Sequence, residues 1–341
     1  MSRLPILLVL NPTCLDVVES QRPWIESQGV DLHADQANRS LTIEQTGEAL
    51  KRCDGVILPS AIRHLPSVEQ MAAASRLRVC AIAASGFEWL DVEAATKNGI
   101  IVTFAPGREG AEVVADMAWG MMLAVARQIP YHNQLLMRGD ESRGMGSSVF
   151  GKTLGIIGLG NIGRRVARRA KGFDMRVLAT ELYPDQNFVR EEGIQLVPQD
   201  ELLANSDFVS LHTRLDDSTR HMLGPRELAL MKPTAILVNT ARRELVDEAA
   251  LVAAIESGRL GGAGLDDPPG AAATKLLGRH NVVFTPHLGN RAIEGVQGVF
   301  KSAVQSAVAV FRGERPEFVV NPKVYESGTR AERQSLARPI L

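Results

Sequence analysis

Cysteine, net charge and long hydrophobic runs are all scarce in this chain of 341 residues. Its three cysteines, Cys14, Cys53 and Cys80, are odd in number and lack metal-ligand spacing. They indicate reduced core thiols of a cytosolic protein and no metal site. The formal net charge of -1 at pH 7 argues against nucleic acid as a general partner.

No stretch is apolar for long enough to cross a bilayer, and the N-terminal run from Leu4 to Leu10 is interrupted by Pro5. That run is also too short for a secretion signal, so we expect a cytoplasmic protein with no membrane partner. The length predicts two domains of about 150 residues each, and an apolar share of 45% can build a sizeable core.

Strand-like runs and amphipathic segments alternate along the first third of the chain, which is typical of βαβ units and a parallel sheet. The predicted strands are Ile6 to Leu10, Val30 to His33, Val56 to Leu58, Arg78 to Ala83 and Ile100 to Phe104. The predicted helices are Val17 to Gln28, Thr42 to Arg52, Val68 to Ala74 and Leu90 to Asn98.

The alternation repeats after Pro106-Gly107, a long apolar helix pattern from Glu109 to Arg127, and a polar loop. A strand that begins at Thr153 is followed by predicted strands at Met175 to Thr180, Gln195 to Val197, Phe208 to Leu211, Ala235 to Val238, Gly262 to Leu265 and Val282 to Phe284. Helix patterns lie between them, notably at Glu201 to Asn205, Arg226 to Met231 and Asp247 to Ser257.

These patterns predict an α/β protein of two doubly wound parallel-sheet domains with a cleft between them. A last helix pattern, Arg291 to Phe311, carries small residues that would let it pack on the first domain. We therefore expect residues 1–106 and 291–341 to form one discontinuous domain and residues 107–290 to form the other.

A glycine turn, Gly158-Leu159-Gly160-Asn161-Ile162-Gly163, separates a predicted strand from a helix-like run. In a dinucleotide-binding turn the first glycine permits the bend, the second lets the backbone approach a pyrophosphate, and the third lets the helix pack against the strand. The helix N–H groups then point at the anion. Taken alone, the pattern also fits a structural turn or another adenosyl ligand.

An acidic residue about 20 residues farther on supports the dinucleotide interpretation. Glu181 directly follows the strand-like run from Met175 to Thr180. A carboxylate there accepts hydrogen bonds from the adenosine ribose and repels a 2′-phosphate. The sequence therefore predicts NAD, rather than NADP, as the cofactor.

Polar residues follow three predicted strands of the second domain, where parallel sheets bind their ligands. Thr240-Ala241-Arg242-Arg243 follows one strand, Asp266-Asp267 another, and His287 a third. A guanidinium can bind a substrate carboxylate through two hydrogen bonds, and an imidazolium can protonate a carbonyl oxygen as hydride reaches the carbon. The set suits hydride transfer between NADH and a 2-oxo acid.

Each of these residues also has a structural interpretation. Arg242 could be a surface or interface cation, and His287 beside Pro286 could be a loop histidine. Asp266 and Asp267, which precede two prolines, could simply end a strand.

Four stretches of the chain resemble the D-isomer-specific 2-hydroxyacid dehydrogenases, and the resemblance covers about residues 50 to 321. They are Ala84 to Asp91, Gly155 to Gly163, Asn239 to Arg242 with Val246 to Glu248, and Thr285 to Gly289. The family implies a flavodoxin-like substrate domain, a Rossmann NAD domain and a homodimer with the helix from Glu109 to Arg127 at its interface.

The resemblance also implies roles for single residues. Arg242 matches the arginine that binds the substrate carboxylate, and His287 matches the acid–base group. The backbone N–H groups of Ser85 and Gly86 match a loop that holds the other side of the substrate. The implied cofactor-binding residues are Gly158, Gly160, Asn161, Ile162, Gly163, Glu181, Thr240 and Asp266, of which Asp266 matches an aspartate that contacts the nicotinamide carboxamide.

The chain departs from the family at the glutamate that usually pairs with the catalytic histidine. No glutamate lies between Glu256 and Glu294, and in the shortened segment after Leu265 only Asp267 could take the role. Arg243 and Arg214 also stand where the family usually has other residues. Either one could reach a second anionic group on the substrate or be a solvated surface residue.

The sequence therefore predicts an NAD-dependent dehydrogenase that acts on CH–OH donors and interconverts a small-molecule 2-oxo acid and a D-2-hydroxy acid. Activity like that of hydroxypyruvate or glyoxylate reductase, or of phosphoglycerate dehydrogenase, is expected. The alternative is an NAD(H)-binding redox sensor or corepressor-like protein with degraded catalysis, which the missing glutamate favours. The presence of both Arg242 and His287 favours the enzyme.

Overall fold

The structure is a computed structural model that describes residues 3–10, 15–34, 41–59 and 66–326. Cys14 lies outside these residues, whereas Cys53 and Cys80 are buried free thiols. The described residues form two compact units, each with its own sheet. The first unit comprises the residues up to Gly110 and those from Ala292 onward, and the second comprises Ala111–Arg291.

The strands are β1 (Ile6–Val9), β2 (Asp31–His33), β3 (Gly55–Pro59), β4 (Val79–Ala83), β5 (Ile101–Thr103), β6 (Thr153–Ile157), β7 (Arg176–Thr180), β8 (Gln195–Leu196), β9 (Phe208–Leu211), β10 (Ile236–Asn239), β11 (Gly262–Leu265) and β12 (Val282–Phe284). The helices are α1 (Leu15–Ser20), α2 (Arg22–Ser27), α3 (Ile43–Arg52), α4 (Val68–Ala73), α5 (Val92–Lys97), α6 (Arg108–Ala126), α7 (Ile129–Met137), α8 (Asn161–Ala170), α9 (Gln186–Glu192), α10 (Gln199–Asn205), α11 (Pro225–Leu230), α12 (Glu248–Glu256) and α13 (Ile293–Phe311).

The first unit is built on a five-stranded parallel sheet with the order β2-β1-β3-β4-β5. All five side chains of β4 are buried, as expected for a parallel strand covered on both faces. Helix α13 packs on β3 and β4, and its small residues Ala303 and Ala307 allow the close approach while Phe311 fills the core.

One helix prediction in this unit was wrong. The segment from Val17 to Gln28 was expected to be a single helix, but it forms α1 and α2 with a turn at Gln21. Pro23 lies in the first turn of α2, where its missing N–H costs no hydrogen bond. The proline therefore marks the start of a second helix.

The second unit has a seven-stranded sheet with the order β12-β11-β10-β9-β6-β7-β8, and all its strand pairs are parallel. The strand order reverses beside β6, which is where open α/β sheets bind ligands beyond the carboxyl ends of their strands. Apolar side chains cover both faces of this sheet. In the described part of the chain, no helix is long and apolar enough to span a membrane.

Candidate active site

The three glycines after β6 differ in what surrounds them. Gly158 has a φ of +93°, and a Cβ there would lie 2.7 Å from the His212 carbonyl carbon. A Cβ on Gly163 would collide with the Gly158 carbonyl oxygen, so only glycine lets α8 approach the strand. A Cβ on Gly160 would meet nothing within 4 Å. The space over Gly160 is therefore open at the start of α8, where N–H groups favour an anion.

Glu181 lies beside this turn at the end of β7. One carboxylate oxygen accepts the N–H of Leu159 at 2.7 Å, and the other accepts the N–H of Tyr183 at 3.0 Å. The side chain of Asn161 accepts a hydrogen bond from Arg165, while Ile162 packs against the core under α8. The acid and the glycine turn thus meet at one edge of the sheet.

The residues at this edge fit a dinucleotide. The open space over Gly160 suits a pyrophosphate, and Glu181 is a suitable acceptor for ribose hydroxyls. The Oγ1 atom of Thr240, directly after β10, is buried and has no hydrogen-bond partner among the described residues. Buried polar atoms are normally paired, so this hydroxyl is suited to a bound ligand. No group of His, Cys, Asp or Glu in the described ranges could hold a metal ion.

Asn239, the last residue of β10, shapes the loop that carries Arg242. Its Nδ2 donates to the Arg242 carbonyl oxygen at 2.7 Å, and its Oδ1 accepts the N–H of Ala241 at 3.0 Å. The half-buried Arg242 also donates from Nη1 to the Ala241 carbonyl oxygen at 2.7 Å. Sequence reasoning did not assign Asn239 a role, and its only signal was its place at the start of the motif from Asn239 to Arg242.

Asp266 is a buried anchor for the loop that carries His287. The residue is 3% exposed, and its Oδ1 accepts the Thr285 hydroxyl and the Leu288 N–H, each at 2.6 Å. Its Oδ2 accepts the N–H of Gly289, also at 2.6 Å. A single carboxylate thus fixes both sides of the histidine.

His287 itself has an unusual backbone, with a φ of +56°. Non-glycine residues rarely adopt this left-handed conformation, and such strain is concentrated at functional sites. The His287 N–H donates to the Thr285 carbonyl oxygen at 2.9 Å, which closes a tight turn. Together with the bonds to Asp266, this turn holds the strained residue in place.

The imidazole of His287 pairs with Asp267. Nδ1 lies 2.9 Å from Asp267 Oδ1, and the two side chains are 40% and 24% exposed. The hydrogen bond from this carboxylate raises the pKa of His287 above its usual value, against the opposing effects of partial burial and of Arg242. We assign the Nδ1 proton to the bond with Asp267, which leaves Nε2 for a substrate oxygen.

Asp267 has a second contact through its other oxygen, Oδ2, which accepts the backbone N–H of Arg243 at 2.9 Å. The carboxylate therefore links the arginine loop to the imidazole. The guanidinium of Arg243 lies near the Pro268 carbonyl oxygen at 3.4 Å and near Glu244 at 3.5 Å, while Arg214 lies in an exposed segment after β9.

Arg242, His287 and Asp267 thus come together after β10, β12 and β11, next to Thr240 and Asp266. A cation for a carboxylate and an imidazole with a raised pKa are what carbonyl reduction requires. Ser85 and Gly86 belong to the first unit, directly beyond β4. Ser85 is exposed and Gly86 is half-buried.

Comparison with known proteins agrees with a site for carbonyl reduction. Residues 119–289 match the family model of the D-isomer specific 2-hydroxyacid dehydrogenase NAD binding domain. The chain is 38% identical over 304 residues to a glyoxylate reductase of Korarchaeum cryptofilum, covering 86% of this chain and 90% of that protein. It is 39% identical over 288 residues to a D-3-phosphoglycerate dehydrogenase of Methanocaldococcus jannaschii, covering 82% of this chain and 54% of that protein.

Solved structures show the same architecture. The TT0316 protein of Thermus thermophilus superposes with a TM-score of 0.79 at 32% identity, covering 92% of this chain and 99% of that one. D-lactate dehydrogenase with NAD+ from Lactobacillus jensenii superposes with a TM-score of 0.75 at 27% identity, with the same coverage of 92% and 99%.

Proposed function

Because this chain belongs to the D-isomer-specific 2-hydroxyacid dehydrogenase family, we propose that it reduces a small 2-oxo acid such as glyoxylate or hydroxypyruvate. It is an NAD-dependent oxidoreductase that interconverts 2-oxo acids and D-2-hydroxy acids. The choice of glyoxylate or hydroxypyruvate follows the names of its relatives, and phosphohydroxypyruvate is the further candidate.

The bond between His287 and Asp267 is the observation that carries this proposal. A paired carboxylate raises the pKa of the imidazole and so stabilises the imidazolium, which is the form that can protonate the carbonyl oxygen. A binding protein with degraded catalysis would have no need of this pair. Asp267 therefore takes the place of the missing glutamate, which favours the enzyme over a redox sensor.

Each residue of the site has its own role in the reduction. Arg242 binds the substrate carboxylate through two charge-assisted hydrogen bonds and fixes its orientation. His287 holds a proton at Nε2 and delivers it to the carbonyl oxygen, and Asp267 stabilises the charged ring. Bound NADH supplies the hydride that reaches the carbonyl carbon.

The cofactor would be held by the edge of the second sheet. Gly158, Gly160 and Gly163, with Asn161 and Ile162, form its phosphate turn, and Glu181 serves the ribose. Thr240 and Asp266 lie where the nicotinamide end is expected. A carboxylate offers about four acceptor positions, and three of those on Asp266 are occupied, so one remains for the carboxamide.

We assign the remaining substrate contacts to the first unit and NAD binding to the second, with the division near residues 106 and 291. In the first unit, the backbone N–H groups of Ser85 and Gly86 beyond β4 are the proposed substrate contacts.

We also propose a homodimer, because the surface of α7 and of the segment after it leaves apolar groups uncovered. None of the residues of α7 is buried, although the helix is rich in apolar side chains. Ile129, Leu136 and Met137 are exposed there, and Met145 and Phe150 are exposed in the segment that follows. Exposed apolar patches of this kind commonly mark protein interfaces.

Oxidation of NADH with a panel of 2-oxo acids tests the function, using His287→Asn and Arg242→Lys beside the wild type. Asparagine tolerates the left-handed backbone at position 287, so the variant removes the titrating group without adding strain. We expect kcat to fall by about a hundredfold or more in His287→Asn, and KM for the acid to rise in Arg242→Lys, because a point charge replaces a bidentate contact. Tight NADH binding without turnover of any acid would instead support the redox sensor.

A further inference from the structure

We propose that Glu248 is a positioning residue of this active site, which holds Asp267 against His287 through Gly270. The inference rests on the roles proposed above for His287 and Asp267. Glu248 is the first residue of α12, and its Oε1 accepts the N–H of Gly270 at 2.6 Å. The helix places this carboxylate, because Asp247 caps α12 by accepting the N–H of Ala250.

The segment from Asp267 to Gly270 offers few points of attachment. Pro268 and Pro269 have no N–H, so Gly270 carries the first backbone donor after Asp267. At its other end, the segment is attached by Asp267 Oδ2 to the N–H of Arg243. On the far side of the two prolines, the Gly270 carbonyl oxygen accepts the N–H and the hydroxyl of Thr274 at 3.2 and 3.0 Å. These bonds stay within the chain that follows, so the bond to Glu248 is the one that ties the Gly270 backbone to α12.

Packing around this segment is incomplete, because Pro268 is exposed, Pro269 and Gly270 are half-buried, and a small cavity lies behind them. The cavity has a volume of about 20 Å3 and is lined by Arg243, Glu248, Asp267, Pro268 and apolar side chains that include Leu251. That is room for about one water molecule. If the bond to Glu248 were lost, the Gly270 end of the segment could shift into this space, and the contact between Asp267 and Nδ1 would lengthen.

Gly270 and Glu248 fit each other closely. A Cβ on Gly270 would collide with the Glu248 carboxylate, although the backbone of Gly270 is not left-handed and would accept alanine. Gly270→Ala should therefore displace the carboxylate and break the same hydrogen bond. The two positions are expected to act as one unit.

The consequence that can be measured is a change in the pKa of His287. The charged groups that face its ring are Asp267, Asp266 and Arg242, and Asp267 has the largest effect in raising its pKa. When Asp267 moves away, the pKa should fall toward its ordinary value. The pH at which reduction declines should fall with it, whereas a purely structural role for Glu248 would leave that pH unchanged.

The experiment measures kcat against pH for 2-oxo acid reduction at saturating NADH. Glu248→Ala should move the decline about one pH unit lower and cost about tenfold in rate above it. Glu248→Gln should remain near the wild type, because the amide oxygen can still accept the Gly270 N–H. Glu256→Ala is the matched control on the same helix, since it removes only an exposed pair with Lys275.

Gly270→Ala provides an independent route to the same result. It should reproduce the shift of Glu248→Ala, and the double variant should be no worse than Glu248→Ala alone. A Glu248→Ala protein with lower thermal stability but an unchanged pH profile would overturn the proposal, as would additive effects in the double variant. Asp267→Asn separates the two proposals. If it shifts the profile and Glu248→Ala does not, only the role of Glu248 fails, whereas no shift in either variant would reject the pair itself.

Discussion

Asp267→Asn gives the most direct test of the proton-donating pair. The native carboxylate accepts from two groups, the imidazole Nδ1 of His287 and the backbone N–H of Arg243. Asparagine has one acceptor oxygen and one amino group, so it cannot keep both bonds. The substitution also removes the negative charge that favours the imidazolium. Its size is almost unchanged, so no cavity complicates the result.

The structure sets the size of the expected effect. An opposite charge at hydrogen-bond distance commonly shifts a pKa by about one to three units. His287 is 40% exposed, so solvent screens the pair and the lower end of this range applies. We therefore expect the pKa of His287 to fall toward its ordinary value in the variant. Well above that pKa, the protonated fraction and the reductive rate fall about tenfold, whereas the two proteins converge at low pH.

The assay is kcat for 2-oxo acid reduction between pH 5 and 9, with deuterated NADH to confirm that hydride transfer limits the rate. Asp200→Asn is the control, because it changes a carboxylate that pairs with Arg226 on an exposed surface. Equal midpoints for the wild type and Asp267→Asn, with a clear isotope effect in both, would refute the reasoning. The role of general acid would then belong to a group that Asp267 does not influence.

Three further results follow from other parts of the structure. Gly160→Ala should fold normally yet bind NADH much more weakly than the control variant Gly172→Ala. Neither added Cβ touches protein, but only the one at position 160 enters the proposed phosphate space. Equal NADH affinities of the two variants in a fluorescence titration would contradict this. Burial lowers the pKa of His212 to about 3. Below about pH 6.5 the unfolded chain therefore binds a proton at this histidine that the folded chain does not. The free energy of unfolding should fall from pH 6.5 to 5 by up to about 1.4 kcal/mol per pH unit. His212→Asn should reduce that slope in urea unfolding, and an unchanged slope would assign it to other groups. The double variant Leu136→Glu, Met137→Glu should sediment as a monomer if the exposed face of α7 is the interface, whereas intact dimers would exclude that face.

Strands were the most predictable part of the fold. β9, β11 and β12 begin and end at the predicted residues, because buried parallel strands consist of short apolar runs bounded by polar or glycine residues. Helix ends were less predictable, since they depend on caps. The helix predicted from Arg291 begins at Ile293, with Ala292 in the extended conformation before it.

The sequence indicated which residues follow the strands of the second sheet, but not how they contact one another. It left open whether Asp267 reaches His287, because that depends on the path of a segment shortened around two prolines. The left-handed backbone of His287 and the buried bonds of Asp266 carry no sequence signal. Such features arise from tertiary contacts between strand ends that are far apart in the chain, which local patterns do not encode.

The anchoring of Asp266 bears on how this site could be altered by evolution or in the laboratory. Its three bonds fix Thr285, Leu288 and Gly289 independently of whatever chain follows residue 267. Insertions and deletions accumulate in surface connections whose ends are held by the scaffold. A library that varies the length of the chain between residues 268 and 272 should therefore yield many folded variants with the histidine loop in place. Such variants would separate the fold of the histidine loop, which Asp266 secures, from the protonation of His287, which depends on the segment after Asp267.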